Sequence, residues 1–213
     1  RGAYLLASGD NQKALATLTR SEAEYKSNIS HDALDAKAPP ALNPFGRGAA
    51  AKIGNSGPAV NLAANPAQQS AILGLVELLR LKANAQDALN QTDAAAKTLT
   101  ELNDLTRGNG LDRPIVVAPI FRSMAVNSVA ADKPEAAIKR FGQAARNYKR
   151  AMPGSRAQAE NDLQLAGMLQ DYGETLEAVY YCRTAIDSLV KLTITTSPDM
   201  IAPCLRVKSK RWG

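Results

Sequence analysis

Small and bulky residues recur along this chain in one short phrase. A small residue is followed four positions later by a bulky one, and three beyond that by another small or apolar one. Ala137, Phe141 and Ala144 spell it most clearly, and Ala178, Cys182 and Ala185 repeat it. Ala95, Leu99 and Leu102 give a weaker copy, as do Ala14, Leu18 and Ser21. Positions i, i+4 and i+7 lie on one face of an α-helix. The small residue lets a neighbouring helix approach closely, and the bulky one fills the space beside it. The leading alanines stand 81, 42 and 41 residues apart, so the phrase has a period near 41 residues and the first gap has room for one further copy.

This periodicity predicts helices over 11–27, 66–89, 93–107, 115–131, 134–150, 156–172 and 174–191, with residues 1–9 as the tail of a first helix. Leu15, Leu18 and Tyr25 are inward candidates of the 11–27 helix. Ile72, Leu75, Leu78, Leu79 and Leu81 give the 66–89 helix a broad apolar face. Asp93 marks a helix start, and Ser155 can cap the helix that follows it. Pro134 suits a first turn, where its missing N–H is not needed, and Glu135 suits the positive helix end. Gly108-Asn-Gly110 and Met152-Pro-Gly-Ser155 are stops.

Between about 28 and 66 the pattern fails. Ala38-Pro-Pro-Ala-Leu-Asn-Pro-Phe-Gly-Arg-Gly and Gly54-Asn-Ser-Gly-Pro are too dense in proline and glycine for helix to persist. The expected organisation is therefore a truncated first repeat at 1–27 and an insertion at 28–66. Three helix pairs follow over 67–191, then a connector and basic tail over 192–213. The insertion is either a solvated linker or a flap anchored by Phe45. Because the first helix is cut short and Arg1 opens the sequence, the chain is expected to be a piece of a longer protein.

Composition sharpens this reading. The chain is 45% hydrophobic but only 5% aromatic, so alanine and leucine must carry the packing, which argues for close-packed helices against a β-sandwich. The net charge of +6 is spread along helix faces, apart from Arg206, Lys208, Lys210 and Arg211 beside Trp212. That favours acidic partners only weakly. Weak nucleic-acid binding is a secondary reading, since aromatic platforms are lacking elsewhere. No apolar run reaches the roughly 18 residues of a membrane span.

Chemistry finds little purchase. His31 is the one histidine and has no spaced Cys or Glu partner. No Cys/His spacing suggests zinc, and no phosphate-binding glycine motif follows a strand. The expectation is no catalysis, no cofactor and no metal. Cys182 sits at a core position and Cys204 follows Pro203. A disulfide between them can form in an oxidising compartment, and sequence alone leaves that open.

The repeated phrase resembles the second helix of the tetratricopeptide repeat. The preceding helices offer Phe121, Met124, Ala125 and Ser128 in one repeat and Leu165, Ala166, Leu169 and the turn Gly173 in the next. The consensus Trp is missing, and the period exceeds the usual 34 or so residues. The resemblance implies an all-α, right-handed solenoid of antiparallel helix pairs that binds a partner protein or peptide on a concave face lined by the first helices. Carried onto this sequence, the partner-binding positions are Glu77, Arg80, Asn84 and Asp87, then Arg122, Val126 and Val129, then Glu160, Leu163 and Gln170. Arg80 and Asn84 occupy places where some such domains hold a partner's terminal carboxylate, a task suited to arginine's planar fork. Pro119, Ser123 and Glu160 replace the remaining donors.

The layout is also similar to the helical region of bacterial CHAT-domain (caspase-like) proteins. Ala41-Leu-Asn-Pro-Phe-Gly-Arg-Gly and Ser197-Pro-Asp-Met-Ile-Ala-Pro-Cys-Leu205 carry that resemblance. It implies a regulatory repeat region whose catalytic domain lies elsewhere, and a periplasmic location, with the cytoplasm as the alternative. The ending Val207-Lys-Ser-Lys-Arg-Trp-Gly departs from the pattern, which leaves a subunit of a larger complex as a further reading.

Overall fold

The computed structural model describes residues 2–29 and 66–192, together with Ile201 and Cys204. Among the described residues all regular structure is α-helical, and there is no strand. The helices are α1 (Gly2–Ala7), α2 (Asn11–Ser27), α3 (Pro66–Ala88), α4 (Thr92–Gly108), α5 (Pro114–Ala130), α6 (Pro134–Ala151), α7 (Arg156–Asp171) and α8 (Thr175–Lys191). Most of the proline- and glycine-rich insertion, with His31 and Phe45, lies outside the described residues. So does the basic tail; of the connector before it, Ile201 and Cys204 are described and both are helical.

Local chemistry explains the boundaries. The Asp10 carboxylate accepts the Lys13 N–H at the start of α2, and Ser155 Oγ accepts the Gln158 N–H at the start of α7. Pro114 and Pro134 open α5 and α6. Each described turn between consecutive helices contains one residue of positive φ. Gly173 does this after α7, where the Glu174 N–H bonds back to the Leu169 carbonyl at 2.8 Å. That is a Schellman stop, which satisfies an orphan carbonyl of the last turn. Asn90 and Asp132 serve the same purpose after α3 and α5, with Gln91 bonding to Gln86 and Lys133 to Ser128. Both are short polar side chains, the types that tolerate this conformation best after glycine.

The chain divides into two compact units, Arg1–Asp112 and Arg113–Gly213. In the first, α2 packs on α3 and α3 on α4. Ala14 and Ala95 are fully buried, and Leu18, Leu78 and Ala85 form a core patched by Leu6, Leu15 and Leu81. Gly74 lets α2 settle on α3, because a Cβ there would stand 2.5 Å from the Tyr25 ring. Tyr25 is thus seated on α3 while still partly exposed. Glu22 of α2 is buried between Lys82 of α3 and Lys26, both at 2.7 Å, and Lys26 reaches on to Glu101 of α4 at 2.7 Å. Burial alone would raise the Glu22 carboxyl, but the two ammonium groups outweigh it and hold the group below the usual carboxylate range. This chain of charges fastens three helices.

In the second unit α5 packs most extensively on α6, then α7 on α8, with α6 and α7 in contact between them. Ala137, Phe141 and Ala144 of α6 are buried, as are Ala178, Cys182 and Ala185 of α8. One core joins Phe141, Leu165, Leu169, Cys182 and Leu189 around alanines of every helix in the unit. A second patch sets Tyr148 against Ala118 and Phe121. Cys182 and Cys204 form a disulfide, with Cα atoms 5.4 Å apart. It holds Cys204 against the middle of α8.

Candidate partner-binding face

The expected binding positions fall in both units. In the first, Glu77 and Arg80 stand one turn apart on α3 and meet each other. Arg80 Nε donates to one Glu77 carboxylate oxygen at 2.9 Å and Nη2 to the other at 2.5 Å. The guanidinium fork is therefore already filled by a carboxylate of its own helix. Asn84 and Asp87 follow on α3 and are half-buried.

In the second unit Arg122 of α5 bridges to α7. Its Nη1 lies 3.3 Å from Glu160 Oε2 and its Nε lies 3.3 Å from Gln164 Oε1. The other Glu160 oxygen accepts from Arg156 Nε at 2.7 Å. Two arginines thus share one carboxylate, leaving this small cluster a net positive charge. Val126 and Val129 continue the α5 stripe one and two turns on, and both are exposed; Ile115 begins the same stripe and is exposed too. Leu163 and Gln170 stand apart from this surface. They are 3% and 5% exposed, enclosed within the unit. The physical reason is that α7 is covered on most of its circumference, with nine of its residues buried. The accessible side chain beside Glu160 is Gln164, which the sequence pattern did not single out.

Sequence reasoning also missed a pocket of about 220 Å³ in this unit, lined by Ile138, Gly142 and Arg146 of α6, Leu165 and Leu169 of α7, and Glu177 and Tyr181 of α8 among others. Glycine inside a helix costs about 1 kcal/mol relative to alanine. Gly142, one residue after Phe141, was the one unusual residue of this lining, although a Cβ there would meet only Arg146 Nη1, at 3.7 Å.

A third feature lies beneath these surfaces. Asp162 of α7 is 1% exposed. Gln158 Nε2 donates to its carboxylate at 3.3 Å, and Asn161, whose amide also reaches the Phe141 carbonyl at 3.2 Å, donates weakly at 3.5 Å. Burial pushes the carboxyl up to about 6, a rise that the bonds from Asn161 and Gln158 and the charge of Lys149 only partly offset. Because this acid is sealed in the core, its burial bears on stability. The protonated form is favoured in the folded state. Its stabilising effect is complete below the ordinary value of 3.8 and is lost as pH rises through about 6. A shift of this size corresponds to about 3 kcal/mol as an upper figure. Asp162→Asn, which keeps the shape and removes the charge, is expected to raise stability at pH 7.5 by about 1–3 kcal/mol and to change little below pH 4. Urea unfolding at the two pH values checks this. A variant no more stable than the parent at the higher pH would contradict it.

Among the described residues no group of three or more His, Cys, Asp and Glu side chains is placed to hold a metal ion. No described helix is long and apolar enough to cross a membrane. No protein-family model matches this chain, and no curated protein sequence matches it.

Proposed function

We propose that this chain is a non-catalytic interaction scaffold that binds a partner protein or peptide along a surface of helical repeats, arranged as antiparallel pairs in a right-handed solenoid. The observation that carries the reading is the α5 stripe. Arg122, Val126 and Val129 share one helix face, the valines are exposed, and Arg122 is held in place from α7 by Glu160 and Gln164. Exposed apolar side chains beside an oriented arginine are what a protein interface uses as anchors. Unit 1 adds the Glu77–Arg80 pair on α3, in which the guanidinium fork already holds a carboxylate in the two-bond geometry expected for such a ligand. The Cys182–Cys204 disulfide supports an oxidising compartment, consistent with a bacterial periplasm.

Charge reversal tests the reading. Arg80→Glu and Arg122→Glu are each expected to weaken partner binding by about tenfold, the equivalent of about 1.4 kcal/mol. Their helices should remain folded, since both residues lie near the surface. An unchanged affinity in both variants would remove these faces from the account.

A further inference from the structure

The outer face of α8 carries a pattern that no other described helix covers. Leu176, Tyr180 and Val190 are 83%, 54% and 66% exposed. Arg183 and Asp187 lie between them, are exposed, and have no ion-pair partner among the described residues. All five fall on one stripe, roughly opposite the core positions Ala178, Cys182, Ala185 and Leu189. From Tyr180 the stripe runs apolar, positive, negative, apolar, at intervals of three, four and three residues.

That order reads the same in reverse with the charges exchanged. Laid against an identical helix running the other way, with the two-fold axis beside residue 185, Tyr180 meets Val190 of the second copy and Arg183 meets its Asp187. The reciprocal contacts follow by symmetry, as an isologous interface requires. A parallel alignment in register would set Arg183 against Arg183 and Asp187 against Asp187, which repel. Spacing and charge together therefore select one orientation and one partner.

We propose that α8 is a self-association surface, through which two copies of this chain pair by an antiparallel helix contact. The apolar residues exclude water at either end, and the two central ion pairs fix register more than they add affinity. A single helix face is small for a stable interface, so the expected dissociation constant is about 1–100 µM.

Sedimentation analysis of the full chain across that concentration range tests the proposal. The weight-average mass is expected to rise from 22.6 kDa towards twice that value. Arg183→Asp and Asp187→Arg should each weaken association at least tenfold, because each sets like charges opposite one another at both central pairs. The double exchange restores opposite charges, and its affinity should return to within about threefold of the parent. That recovery separates a lost pair from a lost fold. A parent chain that stays monomeric throughout would overturn the proposal. So would single variants that associate like the parent, or a double variant that fails to recover.

Discussion

Phe141→Ala is expected to destabilise the second unit by about 3–5 kcal/mol. Phe141 is 2% exposed, the one fully buried aromatic ring of a core otherwise built mainly from alanines, leucines and the disulfide, with Tyr181 packed against its edge. Removing a buried ring loses its transfer free energy and leaves a cavity, and the total depends on how far the surroundings collapse. Here the alanines among them cannot move in. Ala137, Ala145, Ala166 and Ala178 have no side-chain rotamers with which to fill the space. The Phe141 carbonyl also accepts from Asn161, so a shift of the α6 backbone would disturb the buried amide and Asp162 beside it. Urea unfolding followed by circular dichroism measures the loss. A change below about 1 kcal/mol would mean that this ring is not the wedge between α6, α7 and α8.

Breaking the disulfide is expected to have the next largest effect. Cys182 and Cys204 are 22 residues apart in sequence. Closing a loop of that length restricts the unfolded chain by about 3 kcal/mol on the chain-entropy account. Cys204→Ser should therefore unfold at lower urea by an amount equivalent to about 2–4 kcal/mol. The parent chain should lose the same stability on addition of a thiol reductant, while the variant should be indifferent to it. Both cysteines are buried in the native core, so reduction is expected to proceed through partial opening. Equal stability of the parent chain before and after reduction would contradict this account.

These two sites also mark what the sequence could and could not convey. The small–bulky phrase located the cores, because a helix that must approach its neighbour closely has few substitutes for alanine at the contact. Ala14, Ala95, Ala137 and Ala178 are all fully buried, and the helix starts fall within two residues of those read from periodicity, proline and capping signals. Cysteine pairing was not legible, since it depends on where the chain returns after α8. Nor was the division at Asp112 and Arg113, where Gly108-Asn109-Gly110 announced a stop but not a boundary between compact units.

The candidate face was legible only in part. The tetratricopeptide resemblance implied Arg122, Val126 and Val129 as partner-binding positions on α5, and the structure leaves the valines exposed there. It could not show that Arg122 meets Glu160 and Gln164, which are contributed by a helix 38 to 42 residues away. On α7 the register failed at Leu163 and Gln170, because burial there extends well beyond the apolar stripe to Gln158, Asn161 and Asp162. Polar residues in a core resemble solvated ones in a sequence. Glu22 shows the same limit on α2, where a glutamate is buried because two lysines compensate it.

The central claim is that the α5 face meets a partner protein. The most direct test places a photo-crosslinking amino acid at Val126 in the full chain, within the cells that make it. The account predicts covalent adducts of discrete mass from Val126, reduced when Arg122→Glu is added and absent from a control position at Asp171 on α7. Adducts that are missing at Val126, or that persist undiminished with Arg122→Glu, would contradict it.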